Sequence, residues 1–568
     1  MDIDYQQCRF DATPRGGAGQ PAARHPVVVV GAGPVGLATA IDLAQQGVPV
    51  VVLDDDNKLS AGSRAICFAK RTLEVFDRLG CGERMAAKGV SWNVGRVFMR
   101  DEEIYSFDLL PEPGHQRPAF VNLQQYYVEG YLHDRALELP ALDLRWCNRV
   151  SGLVQHADHV ALTVTTPDGD YVLEAAYVVA ADGGKSAVRG LLGLESKGRI
   201  FRDRFLIADV KMTADFPTER WFWFDPPFHP GQSVLLHRQP DNIWRIDFQL
   251  GWDADPVLET RPERVIPRIR ALLGEDVEFA LEWVSIYTFC CLRMDEFRHG
   301  RVLFAGDSAH GVSPFGARGA NSGVQDADNL AWKLALVVAG KAPDSLLDTY
   351  SGERQYAADE NILNSTRATD FITPKSAVSK VFRDAVLALA KQYPFARKLV
   401  NSGRLSLPSV YAASALNTPD GDVFGGGMRP GAPAADAPVL IDGRPGWLLP
   451  HTGNSFTGLY FAEAGAGLPA DLAALEQAGV DGLSLRIRVV AADGAPVAGG
   501  AIVDAEGLLA ARYDATPGTF YLLRPDQHVC ARWRRADADA MRAALLRASG
   551  NAVAAAAASP TQAHVEEV

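Results

Sequence analysis

The chain has 568 residues, with 56 basic and 69 acidic side chains and a net charge of −13. At about 150 residues per domain it has room for three or four domains, and its 47% hydrophobic and 22% charged residues match an ordinary globular protein. These figures exclude a largely disordered chain, a collagen-like repeat and a disulfide scaffold. An acidic balance without a basic block argues against nucleic acid or an anionic membrane as a partner, and no apolar run approaches the ~18–20 residues of a membrane span. The seven cysteines, at positions 8, 67, 81, 147, 290, 291 and 530, show neither metal-ligand nor CxxC spacing. No metal is assigned, and a reducing cytoplasm is the expected compartment.

Residues 1–24 are rich in Gly, Ala and Pro and read as a flexible leader. Residues 27–30 form an all-apolar run suited to a strand buried on both faces of a parallel sheet. A sharp turn follows at 31–36, then a helical pattern over 39–46 that Gly47 stops, then a second buried strand at 48–53. Residues 151–181 alternate apolar and polar around a Pro167-Asp168-Gly169 turn and predict antiparallel strands. Residues 200–297 are strand-rich and aromatic, 301–305 form another buried strand, and 324–339 form a helix. Residues 345–405 are mainly helical. A Gly/Pro-rich stretch at 417–433 breaks the chain, a compact α/β pattern follows to about residue 535, and the Ala-rich end reads as disordered.

Gly31-Ala32-Gly33-Pro34-Val35-Gly36 is a G-x-G-x-x-G turn between strand and helix, and Asp54 ends the second strand 23 residues after Gly31. Gly31 permits the tight turn, Gly33 lets the backbone approach a pyrophosphate, and Gly36 lets helix and strand pack closely. The helix N-terminus offers free N–H groups to phosphate, and Asp54 can accept from ribose hydroxyls. These features alone do not separate FAD from NAD. Two further motifs do: a strand running into Asp182-Gly183-Gly184, followed by Arg189, and the stretch Gly306-Asp307-Ser308 that continues through Pro314-Phe315-Gly316-Ala317-Arg318-Gly319-Ala320-Asn321.

In this order and spacing the three motifs resemble the single-component FAD-dependent aromatic hydroxylases, the p-hydroxybenzoate hydroxylase-like family, over residues 25–400. The segments 122–129 and 221–250 are most similar to the 3-(3-hydroxyphenyl)propionate hydroxylase-like subgroup. The resemblance implies an α/β fold. A Rossmann-type FAD-binding domain (25–200 and 298–416, the second part with a helical segment) is interleaved with a β-rich substrate domain (201–297). A linker (417–433), a thioredoxin-like domain without CxxC (434–545) and a disordered tail (546–568) follow. It implies FAD as cofactor, NADH or NADPH as electron donor, and O₂ and a small phenolic molecule as substrates. Ring hydroxylation would run through a flavin C4a-hydroperoxide. A homodimer is compatible with the resemblance, and nothing in the sequence tests it.

Residue by residue, the resemblance makes Asp182, Gly183 and Arg189 contacts of the pyrophosphate region and Asp307 a partner of the ribityl chain. The backbone N–H groups of Gly319, Ala320 and Asn321 would face the flavin N1–C2=O edge, where a helix N-terminus stabilises negative charge. Arg64 and Gln125 would meet FAD from the side, and Pro314 would lie beside the reactive carbon. His310 reads as a structural or flavin-edge residue. The family often has Gly-Gly-Gln-Gly after the proline; Ala317 and Arg318 depart from that, and Arg318 either assists an anionic flavin or points to solvent.

A phenol needs a hydrogen-bond acceptor or base at its hydroxyl, and Tyr287 is one candidate. Arg220, Arg238, Arg245 and Arg293 are candidates for a substrate carboxylate, because guanidinium binds carboxylates bidentately. Trp221, Phe222, Trp223, Phe224, Phe228, His229, His237, Trp244 and Phe248 supply wall material, of which alternation allows about half to face one cavity. The alternative substrate is a larger polycyclic or polyketide aromatic. Trp221-Phe222-Trp223-Phe224-Asp225-Pro226 is similar to the W-x-W-x-I-P motif of flavin-dependent halogenases, with Asp225 at the Ile position, although neither Lys70 nor Lys88 has the context of a halogenase lysine. A flavoprotein-like module without catalysis is a further reading. Finally, Gly465-Ala466-Gly467 with Arg488 imitates an NADP turn, for which a plain turn before a helix accounts equally well.

Overall fold

The computed structural model describes residues 4–13, 23–62, 64–400, 405–463, 465–492, 501–535 and 537–552. The expected leader is a packed segment over 4–13. A short turn, Tyr5–Gln7, buries the Tyr5 ring edge-on against Tyr127 and Tyr131. Residues 1–3 and 14–22 of that expectation, and 553–568 of the expected tail, lie outside the described residues; residues 546–548 end the helix Ala538–Ala548.

The first sheet has a parallel centre in the spatial order Val302–Phe304, Gly169–Ala180, Arg24–Val30, Val50–Leu53, Leu142–Arg145. Its strands read as continuous Val/Leu runs because helices cover the sheet, and Val27, Val28 and Val29 are fully buried. The helix after the first strand is Pro34–Gln45, one turn longer at its start than the apolar pattern indicates, because Pro34 at its first position is preset for helix. It packs against Gly319–Val338 and Gln125–Leu137.

The second sheet runs His310–Gly311, Ala280–Met294, Ser196–Lys211, Ile243–Leu250, Ser233–Arg238, Arg220–Phe224, Val94–Met99, Glu102–Asp108. The expected substrate domain of 201–297 is therefore too narrow. The hairpin 94–108, from the first part of the chain, adds two strands by pairing parallel to Arg220–Phe224. A hairpin so far away in sequence carries no local signal for its partner. The long helix Leu346–Ile372, with Ala377–Ala390 and Pro394–Leu399, closes one side.

The third sheet holds parallel strands Phe456–Phe461, Leu485–Ala492 and Ile502–Asp504 inside antiparallel edges. Its single thiol, Cys530, is buried and pushed up to about 12 by desolvation. We propose the thioredoxin-like assignment on this mixed α/β layout. The stretch 417–433 is not a free linker: Thr418 and Gly431 donate to the Cys530 and Val529 carbonyls, so it lies along the edge of this domain.

Buried charges join the C-terminal domain to the first. Arg524 pairs with Glu353 at 2.6 Å and Asp526 at 2.5 Å, and Lys333 reaches Glu353 at 2.8 Å. Arg71 bonds Asp328 and Gln527, both at 3.0 Å, while Arg78 bridges Asp42 and Asp328. Burial alone would push Glu353 up, but Arg524 and Lys333 outweigh it and hold the carboxyl below its ordinary range. Removing one partner of such a set leaves another charge buried and uncompensated. Arg524→Met should therefore lower unfolding free energy by about 3–5 kcal/mol, read by urea denaturation, whereas Arg270→Met on an exposed pair should change it by less than about 1 kcal/mol.

Candidate functional site

The dinucleotide turn is built as the sequence demands. Gly31 has φ +105°, and a Cβ there would lie 2.5 Å from the Ala181 carbonyl oxygen. A Cβ on Gly36 would lie 1.9 Å from the Gly31 oxygen, whereas one on Gly33 would meet no protein atom within 4 Å. Two glycines are thus required by the protein's own packing, and the third leaves open space before the N-terminus of Pro34–Gln45, which no side chain caps. Asp54 stands at the end of the second strand. Its carboxylate accepts from the Ala32 N–H at 2.6 Å and the Asp56 N–H at 2.9 Å, and burial pushes it up to about 6 against those bonds.

The other two motifs converge on the same edge of the sheet. Asp182 accepts from the Val188 N–H at 3.0 Å through one oxygen, and its other oxygen has no protein partner. Gly183 takes φ +78°. Arg189 donates to the Ser308 carbonyl at 2.7 Å and the Gly184 carbonyl at 2.6 Å, so it fastens the two motif loops together. Asp307 lies on the cleft wall with its side chain open to the cleft; surrounding protein pushes its pKa up, against the pull of His310 and Arg64. His310 donates through Nε2 to the Asp326 carboxylate at 2.7 Å, and its Nδ1 has no protein partner.

The loop from Pro314 leads into the helix Gly319–Val338. Pro314 is exposed, and Phe315 is buried edge-on against Phe205 and Phe289 of the second sheet. The N-terminus of the helix has no side-chain cap, so the Gly319, Ala320 and Asn321 N–H groups form an anion-seeking first turn. The Asn321 side chain accepts from the Ala69 N–H and donates to the Cys67 carbonyl, both at 2.8 Å, which fixes that turn to the strand Cys67–Ala69. Ala317 takes φ +52°, a left-handed position, and packs partly buried beside the cluster around Trp92, Phe120 and Leu405. Arg318 is 4% exposed, so the solvent-pointing alternative is excluded; it donates to Asn361 at 3.4 Å and packs under Gly316.

Arg64 is exposed on the loop 60–65. Gln125 holds that loop: it accepts from the Ala65 N–H at 3.0 Å and donates to Glu129, which takes the Ser60 N–H and hydroxyl. Opposite stands one face of the second sheet. Register puts Arg220, Phe222, Phe224, His237, Arg245, Asp247, Asp209, Trp283 and Tyr287 on it. Trp221, Trp223, Phe228, Trp244 and Phe248 fall on the other face in a separate core. A cavity of about 570 Å³, part of it open to solvent, is lined by Arg220, Phe222, Phe224, Phe315 and Arg318.

Three of the candidate arginines are corrected by geometry. Arg245 is fully committed to Asp209 by two 2.8 Å bonds and supports the Arg64 carbonyl, so it is a positioning residue and not a carboxylate receptor. Arg293 makes an ion pair with Asp359, and Arg238 lies over the Trp244 ring. Tyr287 is half-buried, its phenol pushed up by burial against the pull of Arg245 and Arg64. The halogenase lysines are occupied outside the cleft, Lys70 by Glu74 and Lys88 by Asp241. Arg488 lies mid-strand opposite Leu459 and turns to the His451 carbonyl, away from the 465–467 turn.

Asp326, Arg354, Glu129 and Asp209 have no assigned role in the sequence. The two aspartates, Asp326 and Asp328, within the helix after the third motif are the signal that could have pointed to Asp326. The uncapped helix ends, the open space at Gly33 and the free Asp182 and His310 atoms together fit the phosphate, ribityl and ring portions of FAD. Among the described residues no group of three or more His, Cys, Asp or Glu could hold a metal, and no helix is long and apolar enough to cross a membrane.

Comparison with known proteins points the same way. The FAD binding domain family matches residues 24–365. A probable NADH-specific resorcinol 4-hydroxylase of Rhodococcus jostii (strain RHA1) is 35% identical over 344 residues, which is 60% of this chain and 63% of that protein. The 6-methylpretetramide 4-monooxygenase of Streptomyces rimosus is 31% identical over 91% of this chain and 92% of its own length. The crystal structure of aklavinone-11 hydroxylase with FAD and aklavinone superposes with a TM-score of 0.75 at 25% identity, covering 93% of this chain and all of that one.

The glycine geometry separates packing from ligand approach. Gly33→Ala should leave the stability of the FAD-free protein unchanged and weaken FAD binding about tenfold or more, read by flavin fluorescence titration. Gly36→Ala should lower the stability of the FAD-free protein itself.

Proposed function

Because the chain belongs to the FAD-binding-domain family of flavoprotein aromatic hydroxylases, we propose that it uses NADH or NADPH and O₂ to hydroxylate a phenolic ring held between the loop 314–321 and the inner face of the second sheet. FAD, when bound, supplies the two-electron chemistry with the nicotinamide donor and O₂. The observation that carries the reading is the convergence of three dinucleotide motifs on one edge of the parallel sheet, facing an aromatic-lined cavity across the uncapped helix at Gly319.

The protein's part is to hold and shield. The first turns of Pro34–Gln45 and Gly319–Val338 supply N–H groups to the phosphate and ring ends of the cofactor. Asp54, Asp182 and Asp307 supply acceptors for its hydroxyls. Arg189 keeps the two acidic loops at fixed separation, and Gln125 with Glu129 holds the loop that carries Arg64. Phe222, Phe224 and Phe315 give the substrate an apolar seat from which water is displaced. Pro314 stands at the mouth of that seat, and Tyr287 is the candidate partner for a phenolic hydroxyl.

The substrate class we favour is a phenol of one or two rings, on the aromatic lining that Phe222, Phe224 and Phe315 give the cleft. A polycyclic substrate is the second reading, supported by the nearly end-to-end alignment with a pretetramide monooxygenase. Cytoplasmic location and dimerisation remain parts of the proposal.

Oxidation of NADH and of NADPH by the FAD-loaded protein should be slow alone and rise sharply with one member of a panel of phenols, phenolic acids and naphthols, with oxygenated product matching the nicotinamide consumed. Absence of acceleration by every phenol and every fused-ring compound would overturn the reading. Asp307→Ala should weaken FAD binding by about one to two orders of magnitude, as for loss of a buried charge-assisted hydrogen bond.

A further inference from the structure

A second cavity, sharing no lining residue with the cleft, lies between the C-terminal domain and the helix Lys70–Leu79. Its volume is about 830 Å³, part of it open to solvent, and most of its lining residues are polar. One wall is the strand Leu485–Ala492. Leu485 and Ile487 turn into a core, so alternation puts Arg486 and Arg488 on the opposite face, and both reach the cavity. Parallel pairing sets them beside Thr457 and Leu459. The turn Leu449–His451 and residues 452–455 form the rim. Gln527 fastens that turn by donating to the Leu449 carbonyl at 2.9 Å and the Thr452 hydroxyl at 3.0 Å.

The charges of the wall do not cancel. Glu74 is answered by Lys70 and Arg71, and Asp77 by Arg117. Arg78 is answered by Asp42 and Asp328. Arg486 and Arg488 make no ion pair among the described residues, and Arg488 has one long bond, 3.4 Å, to the His451 carbonyl. Burial, with Arg488 beside it, pushes the His451 pKa below its ordinary range, so the imidazole adds no charge at pH 7. Two uncommitted guanidiniums thus share one face of a strand, about 6–7 Å apart along it. Two more polar atoms of the wall are buried without a hydrogen-bond partner among the described residues: the Ser455 hydroxyl and Nε of Arg78, whose side chain is 5% exposed.

We infer that this cavity is a binding site for a phosphate-class dianion, held by Arg486 and Arg488 with the Ser455 hydroxyl as a further donor. The planar guanidinium fork matches phosphate oxygens, and two cations match a dianion. The walls come from both the C-terminal domain and the helix 70–79, so the bound anion favours their docked arrangement by mass action. Binding adds no chemical step, and it does not depend on the hydroxylase reading. Free phosphate and the phosphates of a nucleotide present the same chemistry to the site.

The test uses the full chain saturated with FAD, so that the flavin site is filled, in a phosphate-free buffer of low ionic strength. Inorganic phosphate, pyrophosphate and ADP are the probes, and calorimetry gives their dissociation constants. At least one should bind with a constant below roughly 1 mM. Arg486→Gln and Arg488→Gln should each weaken it about tenfold or more, as for loss of a charged hydrogen-bond donor. Arg270→Gln, on an exposed pair elsewhere, should leave it unchanged, and the FAD dissociation constant should be the same in all variants. In the parent, the saturating probe should slow hydrogen exchange at 449–455 and 485–488, a readout that needs no variant. Tighter binding of ADP than of both inorganic anions assigns the site to a nucleotide, and the reverse order assigns it to the free anion. Absence of binding by all three at about 10 mM, unchanged affinity in the Arg486→Gln/Arg488→Gln double variant, or exchange protection confined to other segments would each overturn the inference.

Discussion

Asp326 is the constraint on which the cleft depends. It is fully buried in the helix Gly319–Val338, and its two oxygens take the Gly306 N–H at 2.8 Å, His310 Nε2 at 2.7 Å and the Arg354 guanidinium. Burial would push this carboxyl up, but Arg354 and His310 together hold it below its ordinary value. One charge thus ties the turn that carries Asp307 to the helix whose N-terminus follows Arg318. Arg354 extends the tie to Ser322 and to Tyr411. The acidic loop and the helix start come from opposite ends of one short sequence motif, and this buried carboxylate, with the close packing of Gly306 on Gly323, fixes their relative position.

The C-terminal domain is joined to that same helix by charge. Asp328 and Lys333 lie further along it and are held through Arg71, Arg78, Glu353, Arg524 and Asp526. Arg78 also grips Asp42 on the helix that follows the glycine turn. A domain with a single buried thiol and no capacity for dithiol exchange is therefore coupled to both helices that offer their N-termini to a cofactor. Fully buried pairs of this kind specify one docking geometry more than they add net stability.

Charge is used in two opposite ways on the inner face of the second sheet. Asp209 neutralises Arg245, and the pair becomes a rigid support for the loop bearing Arg64. Arg220, two strands away, is equally buried and has no carboxylate partner. The same residue type is thus paired in one place and left without a carboxylate partner in the other, and the difference lies in which neighbours the sheet register supplies.

The sequence alone determined the dinucleotide turn, its acid at Asp54, the two later motifs and the α/β class, because each rests on contacts within a few residues: a positive φ at Gly31, a strand running into a helix, alternation around Pro167-Asp168-Gly169. It also determined that only half of the 221–250 aromatics could face one cavity, since side chains alternate along a strand. Only the tertiary structure decided which half, that the hairpin 94–108 completes the substrate sheet, and that residues 4–13 pack on the body. It also decided the fate of each arginine. Whether Arg220, Arg238, Arg245 or Arg293 is free for a ligand depends on a carboxylate tens of residues away in sequence, Asp209 for Arg245 and Asp359 for Arg293, and a linear pattern carries no record of that pairing.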